Sequence, residues 1–247
     1  QSLMFVFIEF ERMIRRYYLT KTFLIPYLIV KAMIYTISKL IIPPVYRLWI
    51  RKIEGIENIP KDRAFIVASN HTSYFDALLL PSIIIPKIKM KMHALTNSYY
   101  WNNSITGFFL KKWECIPVYV ENEKNAKQKN RAAMQKAIKH LKHNEIMMIF
   151  PEGKRSYDGK LQKAYNGIAR LALKAKVPVL PCGIIGSNKV MPKGATFPKF
   201  ARCEVKIGKL IHFEKYYNKK LTKKMLDDIT RSIMKEIAKL SKQEYNY

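Results

Sequence analysis

From about residue 53 the chain alternates between two hydrophobic patterns. Short apolar runs of strand length occur at "RAFIVAS" (63–69), "KMKMHAL" (89–95), "CIPVYV" (115–120), "IMMIF" (146–150), "VPVLPCGIIG" (177–186) and "CEVKIGK" (203–209). Several are nearly continuous in apolar residues, the pattern of a strand covered on both faces. Between them lie helical stretches. "DALLLPSIII" (76–85) reads as a short helix broken or kinked at Pro81, and "SITGFFLKK" (104–112) as another helix. Residues 125–143 carry a helical stripe of Ala126, Ala133, Met134, Ala137, Ile138 and Leu141. "AYNGIARLALKA" (164–175) is predicted helical, and Met225, Leu226, Ile229, Ile233, Ile237 and Leu240 mark an amphipathic C-terminal helix. The alternation predicts an α/β fold: a mostly parallel central sheet flanked by helices. Ligands of such sheets bind outside the carboxyl ends of the strands.

Residues 1–50 differ from residues 51–247, which divides the chain into an N-terminal helical segment and an α/β domain. The apolar stretch 22–50 is broken by Lys31, Lys39 and Pro43-Pro44. No window of about 18 residues in it lacks a basic residue, so it reads less well as a spanning helix. An amphipathic helical pair lying in a membrane interface fits better, with lysines snorkelling and Tyr27, Tyr35, Tyr46 and Trp49 at headgroup level.

Composition narrows the partners. The formal net charge is +27, which attracts polyanions: nucleic acid, an anionic membrane, or phosphorylated and acidic ligands. The basic residues are spread along the chain and form no recognisable nucleic-acid module, so nucleic acid is not the expected partner. Cys115, Cys182 and Cys203 form no C-x-x-C pair and suggest reduced thiols in a cytosolic setting. His140 and His143 stand three apart with no acidic or thiol partner in their segment; they read as a solvated helix face, and no metal site is expected.

Two polar motifs follow buried strands. In "NHTSYFD" (70–76), His71 and Asp76 lie just past the strand 63–69. Asp76 opens a helix and suits its N-cap. It suits equally well an imidazole, whose tautomer a carboxylate would fix for general-base work. Alone, the motif leaves both readings open. In "FPEGKRS" (150–156), Pro151 ends a strand, Gly153 permits a tight turn, and Lys154 and Arg155 project cations. Arginine there suits bidentate phosphate binding.

With both motifs at strand exits, residues 53–215 resemble the glycerolipid acyltransferase family, which carries N-H-x4-D, F-P-E-G-[TS]-R-S and a V-P-[IV]-x-P strand matched by "VPVLPCGI". The resemblance implies a base, His71, supported by Asp76, which activates a glycerol hydroxyl towards an acyl thioester. Glu152, Gly153, Lys154, Arg155 and Ser156, with Asn70 and Ser73, would contact substrate. Val177, Pro178, Val179 and Pro181 would shape the acyl or acceptor pocket. The expected acceptor is a lysophospholipid, most simply 1-acylglycerol 3-phosphate, at the cytoplasmic face of a lipid bilayer. The donor is acyl-CoA or acyl carrier protein, and no cofactor is expected. There is no G-x-S-x-G elbow of the hydrolase kind.

Three features depart from the family. Lys154 replaces Thr or Ser; Val120 and Glu121 stand where an Arg is common; "HALTNSYYW" (93–101) lacks a lysine often found there. Lys91, Lys111, Lys112 and Lys154 are candidate substitutes. The lysine-rich stretch 113–131 is a further candidate, for the donor's phosphates.

Overall fold

The computed structural model describes residues 40–247 except 121 and 193. The expected helical pair therefore lies mostly outside the described residues, as do Tyr27, Tyr35 and Glu121. Seven strands form one sheet: β1 (Ile50–Glu54), β2 (Ile66–Ser69), β3 (Met92–Asn97), β4 (Ile116–Val118), β5 (Ile146–Ile149), β6 (Val179–Ile185) and β7 (Cys203–Ile207). Their spatial order is β1-β7-β6-β2-β5-β3-β4. All neighbours pair in parallel except β6 and β7. The helices are α1 (Asp76–Ile84), α2 (Ser104–Lys112), α3 (Ala126–Lys142), α4 (Gly167–Ala175), α5 (Ser187–Val190) and α6 (Lys223–Ser241).

Side chains of the central strands feed two separate cores. Ile66, Ala68, Met147 and Val179 pack with α3, α4 and α6. Phe65, Val67, Ile146, Met148, Leu180 and Cys182 pack with α1 on the other face. Successive strand residues point to opposite faces, so both faces need apolar side chains, and this is why the strands read as continuous apolar runs.

Three elements differ from the sequence expectation. Helix α1 is unbroken at Pro81, which lies inside it. Helix α4 begins at Gly167, and the residues from Ala164 belong to the loop before it. Strand β1 was hidden because it is a charged edge strand, "IRKIE", with Arg51 paired to Glu204 of β7. Charged side chains on an edge guard it against further pairing, but they also erase the apolar signal.

Helix 40–47 lies against the α1 side of the domain. Tyr46 stacks on Phe75 with ring centroids 4.6 Å apart, and Trp49 meets the same ring edge-on at 5.9 Å. Tyr46 and Trp49, half-buried, are thus tied to the domain through Phe75. Leu40, Ile41, Val45 and Leu48 are the exposed apolar residues of this segment. No helix among the described residues is long and apolar enough to cross a membrane.

The C-terminal end of α6 crosses β6 at Gly183. A Cβ at this position would lie 2.4 Å from the Leu240 carbonyl carbon and 2.5 Å from the Ser241 nitrogen. Gly183→Ala should therefore cost about 1–3 kcal/mol or more, because backbone cannot move aside as a side-chain tip can. Gly167→Ala, where an added Cβ meets nothing within 4 Å, should be neutral or stabilising. Urea unfolding midpoints of the two variants check this; equal midpoints would contradict the packing argument.

Candidate active site

Strand β2 ends at Ser69, and the next seven residues make a closed turn. Asn70 continues the ladder with its side chain: its Oδ1 accepts from the Ile184 N–H at 2.8 Å and its Nδ2 donates to the Ile184 carbonyl at 2.9 Å. The turn then folds around one oxygen. Asp76 Oδ2 accepts from the Thr72 N–H at 2.8 Å and the Ser73 N–H at 2.8 Å, and lies 3.0 Å from His71 Nδ1. Asp76 is fully buried, and its Oδ1 has no hydrogen-bond partner. The expected cap is absent: the carboxylate reaches back into the turn and makes no side-chain bond to the helix N-terminus.

His71 is held on three sides. Its Nδ1 faces Asp76, its ring stacks on Phe150 at 3.9 Å and 13°, and its backbone carbonyl accepts from the Ser156 N–H at 2.8 Å. With Nδ1 committed as donor to a carboxylate, Nε2 carries the lone pair. The imidazole side chain keeps 16% exposure, enough for a reactant to reach it.

The second motif forms the adjoining wall. Pro151 and Glu152 are the central residues of a turn closed by the Gly153 N–H donating to the Phe150 carbonyl at 3.0 Å. Gly153 has φ +70, and a Cβ there would strike the Tyr165 ring at 2.9 Å. Glu152 turns inward and is fully buried. Its Oε1 accepts from the His71 N–H at 2.8 Å and its Oε2 from the Gln162 N–H at 2.7 Å. Burial pushes its pKa up to about 7, against the opposing pull of those two amides.

Several expected substrate contacts are corrected by this geometry. Asn70, Ser73, Glu152 and Ser156 are buried and occupied with protein partners. Ser73 Oγ donates to the Met191 carbonyl at 2.8 Å, and Ser156 Oγ to Asp158 at 2.8 Å. They position the turns and do not face an open site. Val177, Pro178, Val179 and Pro181 are displaced for a topological reason. Val179 pairs with Ile66 and Pro181 with Ala68, so this segment runs beside the beginning and middle of β2, away from the His71 end. The part of that chain which does reach the site is Ile184–Met191: besides the bonds to Asn70 and Ser73, Ser187 Oγ lies 2.9 Å from Thr72 Oγ1.

The cations sort by sheet edge. Lys154 is exposed, and Arg155 places its guanidinium carbon 3.4 Å over the Tyr74 ring. Tyr100 donates its hydroxyl to that of Tyr74 at 3.2 Å, and burial raises the Tyr100 phenol to about 12. Lys91 precedes β3 and Lys111–Lys112 precede β4, so these three belong to the opposite edge and cannot replace a ligand beside His71. Lys129 stands on the His71 edge, 4.5 Å over Tyr119, beside a cavity of about 250 Å³ lined by Ser98, Trp101, Glu123 and other residues. Phe150, Tyr74 and Thr72 were missed as contributors. The only signal in the sequence was an aromatic residue at each motif, and aromatic residues are too common to single out.

Burial lifts the thiols of Cys115 to about 11 and of Cys182 and Cys203 to about 12. All three are buried, and burial disfavours the thiolate that a cysteine nucleophile needs. The sequence profile of the Acyltransferase family matches residues 50–185, which spans both motifs and more than half of the chain.

The chain belongs to the Acyltransferase family. It is 29% identical over 161 residues to 1-acyl-sn-glycerol-3-phosphate acyltransferase of Bacillus subtilis, covering 65% of this chain and 73% of the relative. The namesake from Borreliella burgdorferi is 26% identical over 194 residues, covering 75% of this chain and 74% of that one. A chloroplastic relative of the same name from Brassica napus is 29% identical, covering 61% of this chain, which spans only 42% of the relative's length. The crystal structure of a 1-acyl-sn-glycerophosphate acyltransferase, PlsC, from Thermotoga maritima superposes with a TM-score of 0.63 at 22% identity, covering 97% of this chain and 95% of that one. This acyltransferase therefore shares that fold.

The buried Glu152 makes a pH-dependent contribution to stability. Its pKa rises from an ordinary 4.5 to about 7 on folding, so the folded state binds the proton more tightly. The stabilisation is complete below about pH 4.5 and is lost as pH climbs through about 7. The difference between the two values corresponds to roughly 3 kcal/mol. Glu152→Gln cannot titrate, so wild-type stability measured relative to that variant should fall across this window and then level off. A difference that stays flat with pH in urea unfolding would refute the assignment.

Proposed function

We propose that this acyltransferase moves an acyl group from an acyl thioester to the free hydroxyl of 1-acylglycerol 3-phosphate, giving phosphatidate. The observation that carries the reading is the His71–Asp76 pair at 3.0 Å, with Nδ1 held and Nε2 left for a hydroxyl. Nε2 takes the hydroxyl proton as the oxygen attacks the thioester carbonyl. The tetrahedral intermediate collapses, the C–S bond breaks, and the imidazolium returns the proton to the leaving thiolate. Asp76 holds the imidazole in the required tautomer and stabilises its charged form.

The acceptor is argued from the neighbouring cations. The Ser156 N–H to His71 carbonyl bond ties the two motif turns together, so Arg155 is one residue from a direct contact with the base's own loop. A guanidinium laid on an aromatic ring is pre-oriented to meet a phosphate with two parallel N–H groups. The names of the Bacillus and Borreliella relatives support the same acceptor. A different acceptor bearing a phosphate, such as glycerol 3-phosphate or dihydroxyacetone phosphate, is the second reading, favoured by Lys154 and by the missing cations at the two family positions. On the donor side, Lys129 beside the cavity suits the phosphates of CoA or an acidic carrier protein. We further propose that the enzyme works at a membrane surface. The exposed Leu40, Ile41, Val45 and Leu48, together with the net charge of +27, suit an anionic lipid interface, and the reduced thiols suit its cytoplasmic face.

His71→Ala should lower the rate of thioester release by about 10²–10⁴-fold with the fold intact, and Asp76→Asn by at least about a hundredfold. Purified His71→Ala with near wild-type turnover would sink the mechanism. For binding, Arg155→Ala should raise the acceptor KM about 10–100-fold, the worth of a charge-assisted contact, with little change in the donor KM. Lys129→Glu should do the reverse. A panel of phosphate-bearing acceptors assayed with one acyl-CoA separates the first reading from the second, and unchanged KM values in both variants would remove these assignments.

A further inference from the structure

The edge of the sheet remote from His71 carries a second cluster. His93 is the second residue of β3, Glu145 immediately precedes β5, and His140 lies in the last turn of α3. Because Met92 pairs with Ile146, the starts of β3 and β5 lie side by side and bring His93 and Glu145 together. Glu145 Oε2 is 3.2 Å from His93 Nε2 and 2.6 Å from His140 Nδ1. The two imidazole centroids are 4.0 Å apart. This overturns the reading of His140 as part of a solvated face. His143, its sequence neighbour, is exposed and bonded to its own helix at the Lys139 carbonyl.

The hydrogen-bond accounting at His93 does not close with protein groups alone. Its Nδ1 lies 3.3 Å from the Trp113 carbonyl, which can only accept, so Nδ1 carries the hydrogen. In the neutral ring Nε2 is then a bare lone pair, and it faces a carboxylate oxygen that is also an acceptor. A second proton would make a nearly buried imidazolium (2% exposed) against another imidazole. Two acceptors facing each other are best satisfied by a cation between them.

We propose that His93, His140 and Glu145 form a structural site for a divalent transition metal of the zinc class. The three ligand atoms lie within 4.8 Å of one another, so small side-chain rotations bring them to one ion. Two imidazoles and a carboxylate are a donor set suited to such ions and unsuited to calcium or magnesium. The His93 N–H to Trp113 carbonyl bond is the outer contact that orients a ligating imidazole. His140 and Glu145 are half-buried, so water has access to a fourth position. The ion would clamp β3, α3 and β5 at the end of the sheet away from acyl transfer.

The full chain, stripped with a chelator and then dialysed, would be titrated with Zn²⁺ by calorimetry and with Co²⁺ by visible absorption. One equivalent per chain should bind, and at a hundredfold excess over Kd the melting temperature should rise by about 5–10 °C. His140→Ala and Glu145→Gln should weaken binding at least about tenfold. His143→Ala and His71→Ala should bind as wild type does. The half-buried His140 carries the test if His93→Ala fails to fold. Absence of saturable binding to wild type, equal affinity in His140→Ala, or loss of binding in His71→Ala would each overturn the proposal.

Discussion

One carboxylate oxygen organises the reactive end of this molecule. Asp76 Oδ2 receives two backbone amides and faces the imidazole of His71, all from residues within five positions of it. A buried carboxylate is costly unless donors surround it. The chain supplies them by curling residues 72–76 into a turn that points the Thr72 and Ser73 amides at the carboxylate. The aspartate that opens α1 thus also closes the loop and orients the His71 imidazole.

The neighbouring loops are fastened to this turn by groups that look like substrate ligands in one dimension. Asn70 binds Ile184, Ser73 binds Met191, and Glu152 joins the amides of His71 and Gln162. Each spans two segments that are distant in sequence and adjacent in the sheet. Because β6, β2 and β5 are neighbours, their following loops converge at one edge, and each polar side chain there is drawn into holding its neighbour. What remains open towards solvent is a smaller set: the His71 imidazole, Lys154, and Arg155 laid on Tyr74. Rigid placement of a few exposed groups by many buried ones is the condition for a general base to act on a bound hydroxyl.

Helix 40–47 meets the same turn from the outer side. Tyr46 and Trp49 both rest on Phe75, which lies between His71 and Asp76 in sequence. The segment carrying exposed leucine, isoleucine and valine is therefore fixed directly to the loop that holds His71 and Asp76. Should that face meet lipid, as proposed, the base would be held at a set distance from the interface, where a one-chain acceptor resides.

Much of this was legible from periodicity and motif spacing. Continuous apolar runs marked the doubly covered strands, and the H-x4-D and F-P-E-G pair marked the reactive edge, because local patterns record local constraints. The family followed from those two motifs as well. Tertiary structure alone decided the rest. It revealed β1, whose charges conceal an edge strand; it set Val179–Pro181 beside Ile66–Ala68 through the register with β2; and it turned Asn70, Ser73, Glu152 and Ser156 inward. It also drew His93, His140 and Glu145 together from three elements. Residue type states which bonds a side chain can make. Which of them it does make depends on the neighbours that strand order and register bring within reach, and those neighbours lie far away along the chain.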